Sequence, residues 1–297
     1  MKTWAQRSGA ALVILACLGL ALALAGKVLG ERKMARTLAV PAALLQVSAD
    51  VTRVEQGRYL FNTRGCADCH GEHGAGKAVI DDGAMRVVSP NISPGEHSVT
   101  RRYAAADWVR TVRHGVKPDG TPVMIMPSED YNRLTDADMA ALLAYLMQLP
   151  PVAGSVPVLE LPLPVKALYG IGVLKDAAER IDHTLPPAAP VAVAVTPTHG
   201  AYVAHTCMGC HGTNLAGGKI PGAPPSWPAS ARLAPGKGSA MVRYASADSF
   251  LETMRSGKRP DGSAISTVMP FASLRQMNDT DLRALYVYLK TLPPAED

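Results

Sequence analysis

Two copies of one pentapeptide hold the residues whose types and spacing are most specific for a chemical task. They are Cys66-Ala67-Asp68-Cys69-His70 and Cys207-Met208-Gly209-Cys210-His211. Two thiols one helical turn apart can each add to one vinyl group of the same porphyrin, and the histidine that follows then lies under the iron as its proximal ligand. Cys-x-x-Cys-His is accordingly the attachment signature of a c-type haem. The sequence therefore predicts two covalently attached haem c groups, whose irons are bound by His70 and His211.

A methionine after each motif is a candidate for the sixth iron ligand. A thioether ligand raises the reduction potential and keeps the iron six-coordinate, which suits electron transfer. Met126 precedes a proline and lies 126 − 70 = 56 residues after His70, and Met269 also precedes a proline, 269 − 211 = 58 residues after His211. Because Met-Pro is the shared element, we predict Met126 and Met269 as axial ligands. Met124 remains the alternative in the first half of the chain.

The other methionines and histidines have simpler interpretations. Methionines at loop or core positions are expected to pack, and the spare histidines are expected to be exposed rather than to bind iron. The residues concerned are Met85, Met139, Met147, Met208, Met241, Met254, Met277, His73, His97, His114 and His205. Two repeated pairs, Arg102-Tyr103 and Arg243-Tyr244, suit either propionate binding or a packed tyrosine beside a solvated arginine.

The order of elements around the first motif recurs around the second, which indicates an internal repeat. Each copy has a helix before or at the motif, a helix after an Arg-Tyr pair, a Pro-Asp-Gly turn, Met-Pro, and a last helix that ends in Leu-Pro-Pro. In the first copy, Thr135 is the expected N-cap of that last helix, with Asp138 reaching back to it. We predict one haem domain over residues 51–150 and a second over 201–297.

Composition and charge are consistent with small haem domains. The 297 residues include only three phenylalanines, so bound haem would supply apolar volume that the side chains lack. The net charge is +5, but residues 1–50 hold six Lys or Arg against two Asp or Glu, so most of the excess lies beside an apolar N-terminal stretch. Haem propionates would offset the remainder. We therefore expect no nucleic-acid partner.

The N-terminal stretch has the features of a membrane segment. Lys2 and Arg7 precede the uncharged run 9–26, which is longer than the apolar region of a typical signal peptide and slightly short of an ideal span. Ala23-Leu24-Ala25 resembles a cleavage site, so a removed signal is the alternative to an uncleaved anchor over 1–30. Cys17 is interpreted as a small apolar residue of this segment. Because haem c is attached outside the cytoplasmic membrane, we expect an inner-membrane protein whose haem domains face the periplasm.

Two connecting segments complete the chain. Residues 31–50 are expected to be a linker between the anchor and the first haem domain. Residues 151–200 are rich in proline, which predicts a stiff, partly extended connector. This connector contains no recognisable motif, and its apolar side chains suggest that it lies on protein.

The two domains resemble a known family of electron carriers. The shared features are Ser89-Pro90-Asn91-Ile92-Ser93-Pro94, Arg102-Tyr103, Pro118-Asp119-Gly120 and the ending at 144–151. With the two haem motifs, they resemble the membrane-associated multihaem cytochrome c subunits of periplasmic alcohol and aldehyde dehydrogenase complexes. The resemblance covers about 51–297 and implies an all-α chain with two tandem class I cytochrome c domains and an N-terminal transmembrane helix. Members of that group commonly carry one more haem than these two motifs provide.

The resemblance implies an electron-transfer subunit rather than an enzyme. Electrons would enter from the catalytic subunit of a periplasmic dehydrogenase, with a molybdenum, flavin or quinone cofactor, and leave to a quinone or an oxidase of the respiratory chain. A dihaem subunit of a terminal oxidase is the first alternative. A dihaem peroxidase is the second, and it would need an iron with an open coordination site, against which the two Met-Pro pairs argue.

Overall fold

The structure is a computed structural model that describes residues 2–41, 44–220 and 223–294. Helices dominate, and they are α1 (Lys2–Met34), α2 (Val51–Thr63), α3 (Cys66–His70), α4 (Ala105–His114), α5 (Ser128–Tyr131), α6 (Asp136–Leu146), α7 (Leu163–Gly170), α8 (Ala177–Arg180), α9 (Pro197–His211), α10 (Ala247–Ser256), α11 (Phe271–Leu274) and α12 (Asp279–Thr291). The predicted helical class is confirmed in part, because helices are the main regular structure of the described residues and strands are few. The predicted second domain extends to 297, so its last three residues lie outside the described part.

The first domain is built on a close contact between its first and last helices. α2 begins after Asp50, whose carboxylate accepts a hydrogen bond from the Arg53 amide. α2 then packs against α6 at Gly57, where a Cβ would lie only 2.0 Å from the Ala141 carbonyl oxygen. Only glycine allows the two backbones to come this close. The core around this pair is apolar and includes Leu60, Phe61, Trp108, Val109, Met139, Leu142 and Leu143.

The second domain repeats this contact. Helix α9 packs against α12 at Gly200, where a Cβ would lie 2.0 Å from the Ala284 carbonyl oxygen. One difference separates the two copies: α9 continues through the second Cys-x-x-Cys-His motif, whereas Gly65, with φ +83°, divides α2 from α3 in the first domain. The second core includes Val203, Phe250, Met254, Met277, Leu282, Leu285 and Leu289.

A small sheet is the main departure from the all-α prediction. Strands β1 (Ala78–Asp81), β2 (Arg86–Val88) and β3 (Val158–Glu160) are antiparallel and lie in that order. The register pairs Val87 with Leu159, so the connector contributes a strand to the first domain. Strands of three or four residues are too short to show a clear alternation of apolar and polar side chains, so the sequence does not reveal them.

The connector also holds α1 through a close helix crossing. Helix α7 meets α1 where both carry small residues. A Cβ on Gly26 would lie 2.6 Å from the Ala167 Cβ, and one on Gly170 would lie 2.6 Å from the Gly30 nitrogen. Such close approach of two backbones is the usual role of small residues at helix crossings.

Beyond this crossing, the charged end of α1 is fixed to α8. The Lys33 ammonium lies 2.9 Å from the Glu179 carboxylate, and the Arg36 guanidinium lies 2.7 Å from the buried carboxylate of Asp176. The chain then runs along the first domain, where the Leu38 amide donates to the Gly120 carbonyl at 2.9 Å. The segment predicted as a linker is therefore helical as far as Met34 and then contacts the first haem domain.

The two domains pack reciprocally. Helix α5, which follows Met126-Pro127, packs against α9, and α11, which follows Met269-Pro270, packs against α2 and α3. Each domain therefore presents the helix after its Met-Pro pair to the haem-motif helix of the other domain.

A tyrosine of the second domain completes a helix cap in the first. Thr135 accepts a hydrogen bond from the Asp138 amide at 3.1 Å, which matches the predicted N-cap. The predicted return bond takes a different form. The Thr135 amide donates to the Tyr202 hydroxyl at 3.2 Å, and that hydroxyl donates to the Asp138 carboxylate at 2.5 Å. The cap of α6 is thus complete only when the second domain is in place.

Candidate haem sites

The motif thiols lie as attachment requires. Cys66 and Cys69 are three residues apart on α3, so they lie on the same side of one helical turn. All five cysteines are in the described part of the chain, and each carries a free thiol. Burial raises the pKa of Cys66 and of Cys207 to about 12, and it also raises the pKa of Cys69 and Cys210. All four motif thiols are therefore uncharged at neutral pH.

The two motif histidines are oriented in the same way. The Nδ1 atom of His70 lies 3.1 Å from the Pro90 carbonyl oxygen, and that of His211 lies 2.7 Å from the Ala231 carbonyl oxygen. Burial lowers the pKa of both imidazoles, so each ring is neutral and donates its Nδ1 hydrogen to the carbonyl. The lone pair of each Nε2 is then free to bind iron.

The loops that supply these carbonyls are also built alike. The Ser89 hydroxyl donates to the Cys69 carbonyl, and the Ser230 hydroxyl donates to the Cys210 carbonyl at 2.8 Å. Each serine directly precedes the residue whose carbonyl accepts the hydrogen bond of the histidine. The segment 89–94, which carries part of the resemblance, therefore includes the residues that orient His70.

The structure separates the candidate methionines of the first domain. Met126 and Cys66 both pack against the core of the first domain. Met124 packs elsewhere, in a small cluster with Met85 and Leu161 beside the sheet. In the second domain, Met269 and Cys207 both pack against the core. Met126 and Met269 thus lie in equivalent positions in the two domains, and Met124 packs in a different part of the molecule.

Other sequence predictions for the first domain can be compared with the structure. His73 and His97 are exposed as expected. The prediction of an exposed His114 is wrong: this side chain is buried, with its Nδ1 3.0 Å from the Nδ1 of His183 in the connector. Its partner lies in a segment without any motif, so the sequence offered no signal for the pair. Burial lowers the pKa of His114 to about 4.

The repeated Arg-Tyr pairs follow the packing interpretation. The Tyr103 ring lies 5.4 Å from the Trp108 ring, and the Tyr244 ring lies 5.3 Å from the Phe250 ring, each pair edge to face. The arginines before both tyrosines are exposed. Because the same contact recurs in both domains, these tyrosines belong to the repeated core.

A buried charge cluster that the sequence did not reveal joins the domains. The Arg64 guanidinium lies 2.9 Å from the Asp281 carboxylate, and both side chains are about 5% exposed. The same carboxylate accepts hydrogen bonds from the Tyr59 hydroxyl at 2.7 Å and lies 2.8 Å from the His199 Nε2. Tyr59 corresponds to Tyr202 in the repeat, so each domain sends one tyrosine to an aspartate of the other. The repeated Gly-x-Tyr at 57–59 and 200–202 marks the two tyrosines as equivalent, but it does not identify the aspartates that they contact.

A second buried carboxylate lies against the second haem motif. The Asp130 side chain faces Gly209, where an added Cβ would lie 2.5 Å from an Asp130 oxygen. Within the described part of the chain, Asp130 Oδ1 has no hydrogen-bond partner. Burial, together with the neighbouring Glu129, raises the pKa of Asp130 to about 7. A titratable group is therefore placed between the two domains at the second motif.

The residues present in both domains fit a covalently bound haem. Two uncharged thiols share one turn, an imidazole has its Nε2 free, and a thioether packs against the same core. When bound, haem supplies a one-electron couple at its iron, and the protein sets the potential through the ligands and their surroundings.

Helical domains with Cys-x-x-Cys-His and an imidazole oriented in this way are characteristic of c-type haem proteins. The sequence profile of the cytochrome c family matches residues 54–150 and 199–293. The chain belongs to this family, and membership implies covalently bound haem c.

Curated relatives are electron-transfer subunits of dehydrogenases. The chain is 33% identical over 147 residues to the fructose dehydrogenase cytochrome subunit of Gluconobacter japonicus, which covers 47% of this chain and 30% of the relative. It is 31% identical over 288 residues to the cytochrome c subunit of the quinone alcohol dehydrogenase of Komagataeibacter europaeus. This match covers 87% of this chain and 60% of the relative. The gluconate 2-dehydrogenase cytochrome c subunit of Pantoea cypripedii is 26% identical over 279 residues, and the match covers 84% of this chain and 62% of the relative. The chain thus spans at most about three fifths of these relatives.

Helix α1 has the length and composition of a membrane span. Within it, the stretch Ile14–Met34 is long and apolar enough to cross a bilayer, and little of it is buried against protein. A signal sequence has the same features. The last part of this stretch is the part that crosses α7.

Proposed function

We propose that the chain is a membrane-anchored dihaem cytochrome c that accepts electrons from a periplasmic dehydrogenase and passes them through two covalently bound haems to the respiratory chain. The observation that carries this proposal is the repetition of one complete site. In each domain a Cys-x-x-Cys-His helix, a carbonyl that orients the histidine and a Met-Pro pair occur together. Two such sites imply two haems.

The proposed ligands favour electron transfer over substrate chemistry. His70 with Met126, and His211 with Met269, would fill both axial positions of the two irons and leave none for a substrate. Saturated coordination of this kind suits a carrier whose ligands change little between oxidation states. A peroxidase would need an axial position at an iron that can be exchanged for substrate. A subunit of an oxidase would have the same ligands but a different partner protein.

The packing of the two domains supports direct electron exchange between the sites. Each haem-motif helix contacts the helix that follows the Met-Pro pair of the other domain. The buried Arg64–Asp281 pair and the two tyrosine contacts hold this arrangement. A fixed interface keeps the two sites at a constant separation, so transfer within the chain would not wait for domain motion.

The relatives support a dehydrogenase as the electron donor. Their names identify cytochrome subunits of alcohol, fructose and gluconate dehydrogenases. We propose a catalytic subunit with a molybdenum, flavin or quinone cofactor as donor, and a quinone or an oxidase as acceptor. Anchoring by α1 in the inner membrane would keep both haem domains in the periplasm, and nucleic acid has no part in this function.

Isolation of the protein from membranes in mild detergent tests the proposal. We expect a dehydrogenase subunit to co-purify in fixed stoichiometry and its substrate to reduce the haems. Intact-mass measurement should show two haems, and the Cys207→Ala/Cys210→Ala variant should show one. Co-purification of a copper-containing oxidase core would instead identify an oxidase subunit, and binding of carbon monoxide by the reduced native protein would indicate an open iron site.

A further inference from the structure

A group of exposed apolar side chains lies in the connector at and just beyond α7. Ile171 and Val173 are 63% and 65% exposed, and Leu168 is 40% exposed. They fall close together in the segment 163–173. Large apolar side chains that are scattered singly need no explanation, but a contiguous group usually marks a surface that another phase or molecule covers.

This segment is held at one end of the apolar stretch of α1. The close contacts of Gly26 with Ala167 and of Gly30 with Gly170 leave no room for side chains between the two helices. They keep α7 packed directly against α1. At the same level, α1 exposes Val28 and Leu29. An apolar span that ends here would place α7 at the boundary between the hydrocarbon and the headgroups of a bilayer.

Charged residues surround the apolar group in the pattern of an interfacial element. Lys27, Arg32 and Lys175 are exposed around the crossing of α1 and α7, where Glu31 pairs with Lys27 and Lys166, so the charge around the crossing is net positive. Exposed cations beside a span attract anionic headgroups, and apolar side chains flanked by cations are typical of segments that lie in the membrane surface. Lys33 and Arg36 do not belong to this exposed set, because they are engaged with α8 and with Tyr169 of α7.

We propose that segment 163–173 is a second membrane-contacting element, in which Leu168, Ile171 and Val173 enter the interfacial layer of the bilayer beside α1. The inference rests on the proposed anchoring by α1. Lipid is the occupant because the bilayer around α1 fills the space next to α7, which a protein partner would have to displace. Contact at two places, α1 and the connector, would fix the orientation of the first haem domain relative to the membrane.

Photocrosslinking from lipid tests this inference on the full-length haem-loaded protein. The protein is reconstituted in nanodiscs that contain a phospholipid with a diazirine in its acyl chain near the headgroup, and adducts are mapped by mass spectrometry after trypsin digestion. Peptide 167–175 contains all three side chains of the proposed contact. Peptide 238–243 is the matched control, because it carries Val242, which is 76% exposed on the second domain. Peptide 8–27 reports on the anchor.

We expect lipid adducts on peptides 8–27 and 167–175 and none on 238–243. The Ile171→Ser/Val173→Ser variant should lose the affinity of segment 163–173 for the interface, so adducts on 167–175 should disappear while haem content and adducts on 8–27 stay unchanged. Adducts on 8–27 without adducts on 167–175 would overturn the inference and leave the anchor standing. Adducts on neither peptide would overturn both, and equal labelling of 167–175 and 238–243 would show that the contact is not specific.

Discussion

The Tyr59 hydroxyl of the first domain donates a hydrogen bond of 2.7 Å to the Asp281 carboxylate of the second, and both groups lie in the interface between the domains. Asp281 is the third residue of α12, so this tyrosine binds the start of the last helix of the other domain. The Asn278 amide donates to the same hydroxyl at 3.1 Å. The contact of Tyr202 with Asp138 is its counterpart in the opposite direction. The two domains are thus joined through the caps of their last helices.

Loss of Arg64 should destabilise the protein strongly. Arg64→Met would leave the Asp281 carboxylate buried without its cation, and breaking a buried ion pair costs about 3–5 kcal/mol of unfolding free energy. Denaturant unfolding followed by haem absorbance measures this loss. The Arg58→Ala variant is the control, because Arg58 is exposed and its pairing with Glu55 should contribute less than about 1 kcal/mol. Equal small losses in both variants would contradict a stabilising role for the buried pair.

The Arg64–Asp281 pair should also set the pH at which the protein begins to unfold in acid. Burial opposes ionisation of Asp281, but Arg64 and its other partners hold the pKa of Asp281 below its ordinary value. A depressed carboxyl pKa gives stability that is present above the unfolded pKa, about 3.9, and lost as pH falls through the folded pKa. Arg64→Met should therefore begin to unfold at a higher pH than the natural protein during acid titration.

Asp130 should give the opposite pH dependence. Its pKa of about 7 exceeds the unfolded value, so the folded protein holds a proton that the unfolded chain releases near pH 4. Stability should fall by up to about 4 kcal/mol as pH rises from 4 to 8. Asp130→Ser, which installs the residue found at the equivalent Ser273, should remove most of this slope and stabilise the protein at pH 8. An unchanged slope would show that another group is responsible.

The glycines at the helix contacts should not tolerate a side chain. Gly57→Ala or Gly200→Ala would place a Cβ 2.0 Å from a backbone carbonyl oxygen, so α2 and α6, or α9 and α12, must separate. Overpacking of this kind costs about 1–3 kcal/mol, and thermal unfolding would measure it. Both variants should be affected in the same direction, and Arg58→Ala again serves as the neighbouring control. A variant as stable as the natural protein would show that the helices adjust freely.

The axial ligands can be separated by single substitutions. Met126→Ala and Met269→Ala should each leave haem attached, make one iron high-spin or differently ligated, and lower its reduction potential, because the thioether is lost. Met124→Ala is the matched control, since Met124 packs beside the sheet. Redox titration with absorption spectra measures all three variants. A changed spectrum in Met124→Ala with none in Met126→Ala would reverse the assignment.

Spacing within the sequence sufficed for the features that depend on neighbouring residues. Covalent attachment requires Cys-x-x-Cys-His, so both motifs and their histidines follow directly from the sequence. The reciprocal contacts do not, because Tyr59 and Asp281 are 222 residues apart and neither is unusual in its local setting. The burial of His114 depends on His183 in the connector, which the sequence does not place near α4. Met124 and Met126 are separated by one residue, so only the fold distinguishes their surroundings.

The contact of Asp130 with Gly209 makes the two domains non-equivalent at their interface. The residue equivalent to Gly209 in the first motif is Asp68, and a Cβ at this point would already lie 2.5 Å from the Asp130 oxygen. A chain with the first domain in both positions would therefore bring two carboxylates into collision at the interface. Although the two domains repeat one pattern of elements, the first domain therefore cannot take the place of the second at this interface.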